Sequence, residues 1–312
     1  MRLTHHDWCS IHAITIMFIV TVITIIMKIT ITTVTTNTMA IVILFVVTIM
    51  TTIVDTLITP DMQTISFANH KGGVGKTTST LAVAQCLASK GKQVLLLDCD
   101  AQCNLSMSFS KPHDKHIGHL LTGQSSLDQV VQEVGEGLYL VPAMPRLHDL
   151  ERELAGQPGS DFVLREVLES VEGIDYCLID TPPNLFTLTH AALAASNAVF
   201  IPTQPEYYSF EGLATLLETC TKIQKRVNPQ LILGGVFFTK YSPTYRKKLH
   251  HDMVELMQQH PELGKLLMKT SIRENVSLAE AQIQKESVYD YAPNSNGARD
   301  YLALTNEILT RL

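Results

Sequence analysis

The chain has 312 residues, 24 Lys and Arg against 30 Asp and Glu, and a formal net charge of −6; that length fits one large domain or two small ones. This mildly acidic balance excludes a protein that coats nucleic acid with its whole surface, so any such contact must come from a local patch. Six cysteines, Cys9, Cys86, Cys99, Cys103, Cys177 and Cys220, lack paired metal-ligand spacing and read as reduced thiols of a cytoplasmic protein, not as a disulfide framework or a zinc site.

Composition changes sharply near Met62. Residues 1–61 hold 15 Thr, 14 Ile, three Leu and no Gly, and between residues 13 and 54 Lys28 is the lone charge. Two apolar runs, 13–27 and 39–54, are each slightly short of the roughly 20 residues a spanning helix needs. As a membrane hairpin they would need Thr-rich 29–38 to complete one of them. No small-residue cleavage site follows, as a signal peptide requires. The dominance of β-branched residues, which are weak helix formers, favours a second reading, an over-extended start ahead of a native Met62. With almost no turn-forming residues the stretch is not expected to make a soluble core. The expected division is a Thr/Ile-rich extension, 1–61, and one domain, 62–312. A membrane enters only if the extension is native.

From Met62 the chemistry is dense. Residues 64–68 are largely apolar and β-prone, residues 69–78 are Asn-His-Lys-Gly-Gly-Val-Gly-Lys-Thr-Thr, and a helical pattern follows through Leu81, Val83, Ala84 and Leu87. This is strand, glycine loop, helix, the context a P-loop requires. Gly72, Gly73, Val74, Gly75 and Thr78 would offer backbone N–H groups to phosphate oxygens at a helix N-terminus. Lys76 would reach the β- and γ-phosphates of ATP, and the Thr77 hydroxyl would ligate Mg²⁺. A second strand, 93–97, ends in Asp98-Cys-Asp100-Ala-Gln102-Cys103-Asn104, and a third, 176–179, ends in Asp180-Thr-Pro-Pro. Carboxylates at strand carboxyl ends beside the loop strand face the nucleotide crevice.

A second lysine, Lys71, opens the glycine loop. The run Lys71-Gly-Gly-Val-Gly-Lys76-Thr77 resembles the deviant Walker A box of the group containing ParA, MinD, the nitrogenase iron protein and arsenite pumps. The resemblance implies that Lys71 crosses a nucleotide-sandwich dimer to touch the partner's phosphates, supplying charge as an arginine finger does. It also implies that Asp100 orients or deprotonates the attacking water, that Asp98 supports the Mg²⁺ region, and that Asp180 holds Mg²⁺ through a water. Ala101 and Cys103 depart from the Pro and Gly of the group's second box, which bears on loop rigidity.

Strand-like 198–202 and 231–238 alternate with helical 212–227 and 245–259, which predicts an α/β fold: a doubly wound, mostly parallel sheet flanked by helices, the P-loop NTPase fold. Segments 201–213, 272–281 and 291–298 are similar to ParA/Soj proteins, so the resemblance covers essentially all of 62–312. By that analogy the purine lies near Thr239, Lys240 and the loop around Pro293.

The second acidic box matches ParA/Soj and not MinD, and the tail lacks MinD's basic amphipathic helix. The implied activity is Mg²⁺-dependent ATP hydrolysis to ADP and phosphate, in a switch that drives chromosome or plasmid partitioning. Its implied partners are a second copy bound with ATP, non-specific DNA and a ParB-like protein, on the nucleoid of a bacterial cytoplasm. Candidate DNA contacts are Arg246, Lys247 and Lys248, with His250 and His251 beside them, then Lys222, Lys225 and Arg226, and Arg273. Two alternatives remain open: a membrane-associated, MinD-like positioning ATPase, and a bacterial P-loop tyrosine kinase, although only Tyr289, Tyr291 and Tyr301 lie in the tail.

Overall fold

Three runs in the described chain are mostly apolar, and a fourth, Gln-Thr-Ile-Ser-Phe, is β-prone and leads into the glycine loop; strands buried on both faces read this way. In the computed structural model, which describes residues 62–111 and 114–312, these are β1 (Gln63–Phe67), β2 (Val94–Asp98), β5 (Tyr176–Asp180) and β6 (Ala198–Thr203). The extension 1–61, with both readings of it, lies outside the described residues. Three further strands, β3 (Gln132–Gly135), β4 (Leu138–Val141) and β7 (Ile232–Phe238), complete a seven-stranded sheet in the order β3-β4-β2-β5-β1-β6-β7. All neighbours are parallel except β3, which runs antiparallel to β4 at the edge. The expected doubly wound, mostly parallel sheet is the one observed.

Alternation within each strand divides the core. Val94, Leu96, Leu178 and Phe200 face one layer, with Leu81, Val83 and Leu87 of helix α1 (Lys76–Ser89) and Tyr301, Leu304 and Ile308 of the last helix. Leu95, Leu97, Cys177 and Ile179 face the other, beneath α2 (Leu147–Leu154) and α3 (Thr187–Ala195). Val199 and Ile201 continue that layer under α4 (Tyr207–Arg226). The remaining helices that matter for the site are α5 (Lys248–Gln259), α6 (Val276–Gln284) and α7 (Asn296–Leu309). Two hydroxyls tie the carboxyl-terminal region to α1: Ser79 Oγ and Tyr301 Oη lie 3.1 Å apart, and Tyr289 Oη donates to the Ala82 carbonyl at 3.1 Å. Among the described residues no helix is long and apolar enough to cross a membrane.

The structure corrects three boundaries. β3 and β4 are absent from the sequence reading because Glu133, Gly135 and Gly137 break any run; β3 is half exposed and β4 alone supplies core residues. Helix α4 starts at Tyr207, five residues before the expected 212, because Gly212 sits inside it and not at its end. Helix α5 starts at Lys248, three residues after the expected 245. There Ser242 Oγ accepts the Thr244 N–H at 3.2 Å and the Ser242 carbonyl accepts the Tyr245 N–H at 3.0 Å, holding 242–245 in a turn.

Candidate functional site

β1 lies between β5 and β6, where the sheet's strand order reverses, and the crevice beyond the strand ends at such a point is where ligands bind in open α/β sheets. The loop leaving β1 is shaped by Gly73 (φ +73°) and Gly75 (φ +93°), in the left-handed region that glycine enters without steric cost. Its outward groups are tied to neighbouring strands. Asn69 Nδ2 donates to the Pro202 carbonyl (2.8 Å), Gln204 Nε2 to that of Gly73 (3.0 Å) and Thr239 Oγ1 to that of Val74 (2.9 Å). Gly75 caps α1 without any side-chain acceptor, and no acid lies in the first turn. The helix therefore presents unpaired amides and a positive dipole end to an anion.

The start of the loop rests on α4. A Cβ at Gly212 would fall inside the His70 ring, so the only residue without one is needed at a mid-helix position. Gly212→Ala is expected to lower stability by about 1 kcal/mol, an overpacking cost of about 1–3 kcal/mol partly offset by about 1 kcal/mol of helix propensity. Thermal unfolding followed by circular dichroism measures it, and an unchanged or raised midpoint would show that His70 moves aside freely.

Charge is concentrated under the loop. Lys76 is 6% exposed, and its Nζ donates to the Lys71 carbonyl at 3.2 Å. Burial pulls its pKa down, and the carboxylates of Asp180 and Asp100 push it back up. Thr77 Oγ1 donates to Asp180 Oδ2 at 2.7 Å, while the buried Asp180 Oδ1 has no hydrogen-bond partner. Burial, then the charge of Asp98, raises the Asp180 pKa well above the carboxylate range. Burial also raises Asp98, to about 6, against hydrogen bonds from Ser106 that lower it. Both Asp98 oxygens are engaged: Oδ2 by Ser106 N (2.8 Å) and Oγ (2.6 Å), Oδ1 by Asp100 N (3.1 Å). Asp98 thus fastens the loop that presents Asp100. In that loop Cys103 takes φ +56°, so the residue standing where the related box has glycine carries a left-handed strain of about 1 kcal/mol.

A buried carboxylate with an unpartnered oxygen, beside a hydroxyl and two more acids, suits a divalent cation. Mg²⁺ takes one or two carboxylates together with phosphates and waters. Among the described residues no group of three or more His, Cys, Asp or Glu is arranged to hold a metal ion by itself.

A cleft of about 550 Å³ opens over the loop. Of the expected residues, Gly72, Gly73, Gly75, Lys76, Thr77, Thr78, Asp100 and Lys240 line it; Lys71 does not. An adjoining cleft of about 320 Å³ is lined by Val74, Thr78, Thr239 and Lys240, with Asn275 and Leu278 opposite. Thr239 and Lys240 thus both line this cleft. Pro293 is exposed and lines neither cleft; the side of the smaller cleft away from Thr239 is lined by residues of 272–282. The signal was present in Asn275, whose side chain caps α6 by accepting the Ser277 N–H at 2.9 Å.

The basic candidates separate. Arg273 is committed to Asp300, with Nη2 to Oδ1 at 2.6 Å and Nε to Oδ2 at 2.9 Å. His251 turns inward, donating through Nε2 to the Tyr245 carbonyl at 2.5 Å, and Lys222 pairs with Glu218 at 2.7 Å. His250 is half-buried. Lys225 and Arg226 are exposed at the C-terminal end of α4, where cations complement the helix dipole. Arg246, Lys247 and Lys248 are exposed and have no ion-pair partner among the described residues. They gather at the N-terminus of α5, with no acid in its first turn. Cations there oppose the dipole and cost stability, so helix formation does not account for them.

The family model described as an AAA domain matches residues 62–233. The chromosome-partitioning ATPase Soj of Thermus thermophilus is 39% identical over 256 residues, covering 82% of this chain and 99% of Soj. The chromosome partitioning protein ParA of Myxococcus xanthus is 34% identical, covering 79% of this chain and 88% of ParA. Cobyrinic acid a,c-diamide synthase of Mycobacterium smegmatis, solved with ADP and magnesium, superposes with a TM-score of 0.67 at 28% identity, over 78% of this chain and 93% of that one. Fold alone would not choose between partitioning and amide synthesis. The identity to Soj and ParA runs through nearly their whole lengths, and with the phosphate loop and its acids it places this chain in the ParA/Soj family of P-loop ATPases.

Proposed function

We propose that residues 62–312 form an ATP-driven dimerising switch that binds DNA without sequence preference and drives chromosome or plasmid partitioning with a ParB-like partner. The observation that carries this reading is the division between the two lysines of one loop. Lys76 lies inside the cleft, whereas Lys71 Nζ pairs with Glu206 outside the cleft lining, at 2.5 Å. A cation held at the rim of its own site is placed to serve a second site brought against it.

In this reading the N-terminal amides of α1 and Lys76 bind the triphosphate of ATP, and Thr77 and Asp180 hold Mg²⁺. Held there, Mg²⁺ would supply positive charge against the charge developing on the phosphates. Asp100, 5% exposed and oriented through Gln102 N at 3.0 Å, accepts a proton from the attacking water. The purine occupies the smaller cleft beside Thr239 and Lys240. Lys71 acts on the partner's phosphates, so hydrolysis waits for the dimer. The protein then works on the nucleoid, in the cytoplasm. Of the three tail tyrosines, Tyr289 and Tyr301 are buried or half-buried and committed to hydrogen bonds with α1, which leaves Tyr291 alone exposed and no cluster for a tyrosine-kinase role.

Arg246, Lys247 and Lys248 are the surface we assign to DNA. The triple Glu variant is expected to abolish retention on DNA-cellulose with ATP, which the unmodified chain shows with ATP and not with ADP. Singly neutralised variants should each reduce the slope of log affinity against log salt by about 0.9. An ATP-dependent retention that survives the triple reversal would move the DNA surface elsewhere, and retention equal in ATP and ADP would remove the switch.

A further inference from the structure

We propose that Glu206 is a latch: it keeps Lys71 on its own protomer and so raises the nucleotide concentration at which two copies join. The inference rests on reading Lys71 as a charge donated across the dimer.

Glu206 is the residue before α4, in the extended conformation of an N-cap, yet its side chain makes no cap hydrogen bond. A residue in that place ordinarily turns its side chain onto the helix's free amides. Glu206 turns away from them, and its Oε2 takes Lys71 Nζ at 2.5 Å. The same connection grips the loop on either side of Lys71. Asn69 Nδ2 reaches the Pro202 carbonyl, Gln204 Nε2 reaches the Gly73 carbonyl, and the His70 ring lies on Gly212. The Lys71 backbone also accepts from Lys76 and is fixed through its N–H to Asn69 Oδ1 at 3.0 Å. With the backbone held at so many points, only the Lys71 side chain is free to swing.

The Lys71 and Glu206 side chains are 34% and 45% exposed, and exposed ion pairs are weak. A carboxylate carries one negative charge, a bound triphosphate several. The exchange of Glu206 for a second copy's phosphates is therefore downhill but opposed, which is what a threshold requires.

The test uses the full chain with a non-hydrolysable ATP analogue and Mg²⁺, following dimerisation by light scattering for the unmodified chain, Glu206→Gln and Lys71→Ala. Glutamine keeps the size and removes the charge. Glu206→Gln is expected to dimerise at an analogue concentration about two- to five-fold lower, the range an exposed ion pair commands. Its analogue affinity below the dimerisation range should match the unmodified chain. The difference should vanish near 1 M salt, where the screening length is about 3 Å; a merely structural role for Glu206 would not show that convergence. If the unmodified chain dimerises, Lys71→Ala does not, and Glu206→Gln dimerises no more readily, the latch is overturned and Glu206 belongs to the assembled dimer. If the unmodified chain stays single, or Lys71→Ala dimerises equally well, the reading of Lys71 itself fails and the latch falls with it.

Discussion

Lys76→Ala is expected to weaken ATP binding by at least about a hundredfold while leaving the fold intact. Lys76 is a buried ammonium whose one hydrogen bond among the described residues goes to a neutral carbonyl, so much of its charge is uncompensated until an anion arrives. Burial is the first influence on its pKa and lowers it, and the charges of Asp180 and Asp100 oppose that. Two hydrogen bonds to phosphate at about 1.5–3 kcal/mol each amount to about 3–6 kcal/mol, or roughly 10²–10⁴ in affinity. The fold should survive because Lys76 belongs to none of the hydrophobic clusters. Titration with a fluorescent ATP analogue, with circular dichroism as the control, measures both. An affinity within tenfold of the original would place the phosphates elsewhere.

Asp100→Ala is expected to cut turnover by about 10²–10⁴, the usual worth of a positioned general base, and to let the ATP-bound dimer accumulate. The change should stay local. Asp98 keeps its two bonds from Ser106, and Ser106 Oγ still accepts the Ala143 N–H at 2.9 Å, so the loop retains its anchor after the Asp100 side chain is gone. Phosphate release and light scattering on the same sample separate the two effects. Normal turnover would falsify the base assignment. Loss of turnover without a persistent dimer would instead mean that Asp100 supports assembly.

The parts of the site that were legible in the sequence are those in which one short run holds both the scaffold and the chemistry. β2 with Asp98 and Asp100 and β5 with Asp180 each announce a buried strand by an apolar run and end it at the functional residues, while β1 is marked by the glycine loop that directly follows it. Contacts made across the sheet were not legible. Glu206 for Lys71, Gln204 for Gly73 and Thr239 for Val74 join positions more than 130 residues apart, and no local pattern encodes such pairs. Gly212 misled the reading of α4 because a glycine inside a helix looks like a boundary; its reason, the His70 ring, comes from the loop. Ser106, which donates two hydrogen bonds to Asp98, was hidden for a simpler cause: a serine in a short helix has many uses.

The order of the strands also governs how the molecule comes into being. β1, the first strand of the described chain, is central in the sheet, and its neighbours β5 and β6 lie more than a hundred residues later. On a ribosome adding about 5–20 residues per second, β1 waits roughly 5–20 seconds for β5 to emerge. Throughout that interval a β-prone segment has both hydrogen-bonding edges open, the condition under which nascent chains aggregate or engage chaperones. Tyr301, which backs the phosphate loop's helix through Ser79, arrives later still. The nucleotide site is the first part of this domain to be translated and among the last to be finished.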